Sequence, residues 1–133
     1  MFKFLKRGAI IGSALLGLGG TGVASAAYWT VSSESVSERG RWSSYGSANV
    51  KQSNSNSASF NGDVLPNSFG YNVRLINGNA AGRSNYVGLV KDTTTHAGNN
   101  TGKRNYYYYA DVRSQTYEPH SSYVKLHFSS DYK

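Results

Sequence analysis

Lys103-Arg104-Asn105-Tyr106-Tyr107-Tyr108-Tyr109-Ala110-Asp111-Val112-Arg113 is the stretch whose reading decides the fold. Four consecutive tyrosines favour a strand, because aromatic rings pack well on a pleated, half-buried surface. Side chains alternate along a strand, so Tyr107 and Tyr109 share one face while Tyr106, Tyr108, Ala110 and Val112 share the other. One face can enter a core while the other presents rings and hydroxyls beside Lys103, Arg104 and Arg113. The stretch is therefore either the central strand of a sheet or the floor of a binding surface. Asp111, set between cations, reads as half of a cross-strand charge pair at a sheet surface, worth little when exposed.

Similar signals lie on both sides of it. Downstream, residues 114–121 form a loop containing Pro119, and residues 122–129 form a last strand. There Val124, Leu126 and Phe128 face inward while Tyr123, Lys125 and His127 face out. Upstream, residues 92–102 are polar throughout and read as a long loop. Residues 84–91 and 69–76 read as a hairpin pair around the turn 77–82. In the second of these strands Phe69, Tyr71, Val73 and Leu75 share the apolar face, and Asn72 and Arg74 oppose them. Residues 64–68 form a turn around Pro66 and Asn67. Residues 57–60 suggest a short strand, 53–57 a polar loop or hairpin end, and 41–52 a strand with Trp42, Tyr45, Ala48 and Val50. Tyr28 to Val31 suggests an edge strand, and the polar remainder up to Gly40 a loop or mobile arm. The sum is an all-β chain without helices. It predicts an antiparallel β-sandwich or small barrel of six or seven short strands.

The first 26 residues read differently. Lys3, Lys6 and Arg7 precede an apolar run over residues 9–18, and small residues lead to the site Ala24-Ser25-Ala26. That order is a secretory signal peptide with cleavage after Ala26. The apolar run is too short and too rich in glycine for a membrane span. Residues 27–133 are then one secreted β domain, with 27–40 as the segment that could be an arm. Without the leader's three cations, the remaining 107 residues hold 11 Lys and Arg against 7 Asp and Glu, a net charge of +4 instead of +7. That mild positive bias suits an anionic envelope or polymer. No basic run exceeds two residues, so a nucleic-acid arm is not indicated. The absence of cysteine excludes a disulfide framework and leaves core packing to hold the domain. An exported chain without cysteines fits a Gram-positive bacterial source.

Residues that could carry chemistry are scattered. His96, His120 and His127 lack the spacing of a metal site, so no metal or other cofactor is expected. No G-x-S-x-G turn marks a nucleophile, and no carboxylate pair stands in a distinctive context. A small secreted ribonuclease would find suitable residue types in Glu118, His120, His127, Arg104 and Arg113, but such enzymes pack a helix on their sheet. Asn99-Asn100-Thr101 matches a glycosylation sequon that a bacterial host would leave silent. The tyrosines and tryptophans are too many for one small core. At a surface they favour recognition of sugars, lipid headgroups or protein.

The segment Gly40-Arg41-Trp42-Ser43-Ser44-Tyr45-Gly46 resembles the early Gly-x-Trp and Tyr-Gly element of the lactococcin 972 family of bacteriocins. The later Trp-Ser-Asn-Tyr-type segment of that family has no counterpart, and this chain is longer. The resemblance implies a β-sandwich and an antibacterial action on cell-wall precursor, with Trp42, Tyr45 and Gly46 as its shared residues. Taken with the composition, it favours a non-enzymatic binding protein of the cell envelope whose candidate contacts are Trp42, Tyr45, Tyr106, Tyr107, Tyr108, Tyr109, Arg104 and Arg113. The alternatives are an extracellular structural or surface-interaction protein and, less favoured, a secreted hydrolase.

Overall fold

The computed structural model describes residues 28–133; the leader and its cleavage site at Ala24 and Ala26 lie outside them. Eight strands form among the described residues, and no helix. They are β1 (Thr30–Val36), β2 (Asn49–Val50), β3 (Ala58–Val64), β4 (Tyr71–Ile76), β5 (Val87–Leu89), β6 (Thr94–Ala97), β7 (Tyr107–Ser114) and β8 (Ser122–Ser129). Two four-stranded antiparallel sheets result, one ordered β1-β8-β3-β6 and the other β2-β7-β4-β5. The core between them makes the molecule a sandwich rather than a closed barrel.

The inward residues of each sheet are those that alternation selects. Val124, Leu126 and Phe128 of β8 meet Tyr71, Val73 and Leu75 of β4 and Tyr108, Ala110 and Val112 of β7 in one buried cluster. Phe60 of β3 and Phe128 stack with ring centroids 6.1 Å apart. Fully burying each such side chain stabilises by roughly 1.5–3 kcal/mol, before conformational entropy is subtracted.

Several sequence expectations are corrected. Eight strands replace six or seven. The polar residues after Val31 are not a loop or arm, because β1 continues to Val36 and pairs along its length with β8. Its inward positions are Ser32, Glu34 and Val36, so an apolar pattern could not disclose it. The hydroxyl of Ser32 donates to Glu34 Oε2 at 3.1 Å, which makes that polar inward face tolerable. β3 runs on through Asn61, Gly62 and Asp63 to Val64, past the end expected at Phe60. Gly62 permits this: its amide donates to the Val90 carbonyl, and a Cβ there would lie 2.6 Å from Leu65 Cδ1. The polar loop 92–102 contains β6, an edge strand that can be polar because only Ala97 reaches the core. The strand expected over 41–52 shrinks to β2 plus isolated bridges at Trp42 and Ser44. The strand expected over 84–91 shrinks to β5, and Phe69 lies outside β4 with its ring against Tyr117.

A polar lock joins the segment after β2 to the segment after β8. Lys51 is fully buried, and its Nζ donates to the carbonyls of Ser130 at 2.7 Å and Ser55 at 2.8 Å. Asp131 Oδ1 lies 3.4 Å from the same ammonium. Asp131 also accepts from the Gln52 amide, the Ser53 amide and the Ser53 hydroxyl. Burial pulls the Lys51 ammonium below its usual value. Burial raises Asp131, but its donors and Lys51 outweigh that and hold it below the usual carboxylate range.

Candidate binding face

The outer face of the second sheet carries the stretch that opened the sequence reading. Tyr107, Tyr109, Asp111 and Arg113 point outward from β7, and Asn72 and Arg74 point the same way from β4. Register sets Arg74 directly opposite Asp111 and Asn72 opposite Arg113. Residues 42–44 run beside the free edge of β7, with Trp42 paired to Arg113 and Ser44 to Ser35 of β1. Trp42 pairs with Arg113 and Asn49 with Tyr108, so residues 43–48 span what residues 109–112 cover. The excess leaves residues 44–48 exposed, including the Tyr45 ring.

Rings and guanidinium groups interleave on this face. Arg74 Cζ lies 4.2 Å and Arg113 Cζ 4.7 Å from the Trp42 ring centroid. Arg113 Cζ lies 4.4 Å from the Tyr86 ring, and the Trp42 and Tyr86 rings meet edge-on at 6.3 Å. Tyr45 and Tyr109 pack at 4.8 Å, and the Tyr45 hydroxyl donates to the Gly78 carbonyl. Each cation–ring contact contributes about 0.5–1 kcal/mol where water still reaches it. Arg74 is further held by Asp111 at 3.7 Å, while Arg113 has no acidic partner among the described residues. Of the two, Arg113 is held by rings alone, those of Trp42 and Tyr86.

Asp111 is buried, not at the surface as the sequence suggested. The Ser43 hydroxyl lies 2.7 Å from Glu34 Oε1 and 3.1 Å from Asp111 Oδ1, and it accepts from the Val112 amide. One hydroxyl proton therefore serves carboxyls from both sheets. Burial pushes Glu34 up to about 7, and Asp111 adds to the rise. Burial likewise pushes Asp111 up to about 6, against the pull of Ser43 and Arg74.

Four of the eight residues marked in the sequence meet here in two contacts, Trp42 with Arg113 and Tyr45 with Tyr109, while Tyr107 shares their face but stands at the far end of β7. Tyr108 does not, because it is a core residue only 3% exposed. Tyr106 and Arg104 precede β7 and are exposed near its start, away from Arg113 by about 20 Å of strand. Arg74 and Tyr86 complete the stack and were missed. Arg74 alternates outward in a clear strand, but its register against Asp111 is a tertiary fact. The residue types of a ribonuclease are dispersed: His127 sits on the other sheet with Asp63 at 2.9 Å, while Glu118 and His120 lie in the loop before β8. Among the described residues no three His, Asp or Glu side chains converge as metal ligands would. No protein-family model, curated protein or solved structure matches the chain.

Proposed function

We propose that the protein is an exported binding protein that acts at the bacterial cell envelope through the face built on Trp42, Tyr45, Tyr86, Tyr109 and Arg113. A bacteriocin-like antibacterial action is the finer form of this reading. The observation that carries it is the interleaving of rings with guanidinium groups on a sheet face. Envelope polymers are long, sugar-rich and anionic. Ring faces accept the C–H faces of sugars, and a cation without an acidic partner attracts their anionic groups. Trp42 and Tyr45 of the segment resembling the lactococcin 972 family both belong to the face, which favours the antibacterial form. The dispersal of Glu118, His127 and Arg113 favours binding over hydrolysis.

Co-sedimentation with whole Gram-positive cells and purified peptidoglycan tests the reading. Wild type should sediment, Trp42→Ala and Arg113→Gln should lose at least tenfold in retention, and Tyr123→Ser on the opposite sheet should behave as wild type. Failure of wild type to sediment with either would refute envelope binding, and concentration-dependent self-association instead would point to a structural protein. Growth inhibition by the purified protein is the separate test of antibacterial action.

A further inference from the structure

A second concave site lies at the start of β7, apart from the face just described. A cavity of about 330 Å³ is lined there by Arg83, Thr101, Lys103, Tyr106 and Tyr108. Every lining side chain carries a hydrogen-bond donor, and none is a carboxylate. Arg83 and Lys103 form no ion pair among the described residues, and the exposed Arg104 adds a third positive charge nearby. Positive charge is thus concentrated in one hollow, without an ion-pair partner among the described residues.

The walls are fixed by backbone amides, with the Tyr108 hydroxyl as one of their acceptors. The Arg83 amide donates to the Leu75 carbonyl and the Thr101 amide to the Arg83 carbonyl, both at 2.7 Å. The Lys103 amide donates to the Tyr108 hydroxyl at 2.6 Å. That bond leaves the phenol's own proton to donate elsewhere. Asn100 accepts from the Gly102 amide and donates to the Ser130 carbonyl, so the connection from β6 to β7 is anchored to the buried end of β8. A site whose frame is already held loses little freedom on binding.

We propose that this pocket binds a phosphate ester. The guanidinium of Arg83 and the ammonium of Lys103 take the oxyanion, and the Tyr108 hydroxyl supplies a further donor, while the Thr101 hydroxyl donates to the Arg83 carbonyl at 3.4 Å. A carboxylate offers two oxygens to this set, whereas a phosphate offers three or more. The volume stands at the lower end of the roughly 300–1,000 Å³ typical of ligand pockets, which leaves room for an ester substituent beside the Tyr106 ring. No residue is shared with the Trp42 face, so this proposal and the envelope reading stand or fall separately.

Amide chemical-shift titration of the full chain tests it, with inorganic phosphate, glucose 1-phosphate and glycerol 3-phosphate as probes and acetate at equal ionic strength as the control. Saturable shifts at residues 83, 101–103 and 106 with the phosphates, weakened at least tenfold in Arg83→Gln and in Lys103→Gln and unchanged in Arg113→Gln, are expected. A stronger response to glucose 1-phosphate or to glycerol 3-phosphate would assign the ligand to sugar phosphates or to glycerol phosphates. Both substitutions are at side chains outside the core, and unchanged core amides will show that the variants fold. Equal response to acetate, no saturable shift with any phosphate, or undiminished binding in both variants would overturn the proposal.

Discussion

Replacing Lys51 with methionine removes the ammonium but keeps an unbranched stem, so the loss is mainly of hydrogen bonds and charge. The Ser55 carbonyl loses its donor inside the protein, and the Ser130 carbonyl keeps only the one from Asn100. Each unsatisfied buried acceptor costs about 1–3 kcal/mol. Asp131, with a side chain 1% exposed, loses its cation. Breaking a buried pair costs about 3–5 kcal/mol when the remaining charge has no other partner. Here Asp131 keeps three donors, from Gln52 and Ser53, which offset part of that cost. A net loss of about 4 kcal/mol follows, a large share of the roughly 5–15 kcal/mol that a domain possesses. At roughly 4–8 °C per kcal/mol for a domain near this size, the melting temperature should fall by about 15–30 °C. Urea and thermal denaturation of Lys51→Met, Asp131→Asn and the double variant measure it. The double variant should lose clearly less than the two single losses added together, because each single change strands a partner. If Lys51→Met proves too unstable to purify, Asp131→Asn alone should still cost about 2 kcal/mol. A Lys51→Met loss below about 1 kcal/mol, or simple additivity, would refute the idea that this pair locks the fold.

Three further outcomes are expected. Glu34 and Asp111 have ordinary values of 4.5 and 3.8 and rise to about 7 and about 6 in the fold, so the folded state holds their protons more tightly than the unfolded state. Their contribution is full at acid pH and lost as pH climbs through the folded values, a loss of about 3 kcal/mol for Glu34. Urea midpoints should therefore drop between pH 5 and pH 8 in wild type and drop less in Glu34→Gln; a wild-type midpoint that rises over that interval would contradict the shift. Tyr108→Ser should destabilise by about 3–5 kcal/mol as a core truncation, whereas Tyr107→Ser should cost under about 1 kcal/mol, and equal losses would contradict the assigned facing of β7. Gly62→Ala brings a Cβ within 2.9 Å of the Val90 carbonyl and should cost about 1–3 kcal/mol by chemical denaturation, with an unchanged midpoint arguing against so close an approach.

Strands that bury alternate apolar residues were legible without a structure. β8 was read to its bounds, and the inward trio of Val124, Leu126 and Phe128 with it. Tyr108, Ala110 and Val112 were likewise grouped correctly by alternation. β1 and β6 were lost because their inward positions are polar or few, and hydrogen bonds rather than apolar area make them acceptable. Tyr106 was grouped with Tyr108 as if the strand began earlier, but β7 starts at Tyr107 and leaves Tyr106 exposed. Asp111 looked like a surface charge because sequence cannot show Ser43 and Glu34 closing over it from another part of the chain. The stack of Arg74, Trp42, Arg113 and Tyr86 joins four separate segments, so its members could be marked singly but not assembled.

The strand order β1-β8-β3-β6 has a consequence for how the molecule comes into being. β8 lies between β1 and β3, yet it is synthesised after both. Until residue 129 has been made, β1 and β3 each present an open edge where β8 belongs, and Phe60 has no Phe128 to stack on. Partnerships this distant along the chain close slowly, because the intervening loop must be ordered before any contact rewards it. The nascent chain therefore stays open through most of its synthesis, and its exposed edges need shielding from neighbouring chains in that interval. Assembly of this sheet waits for β8, whereas every strand of the other sheet has been made by residue 114.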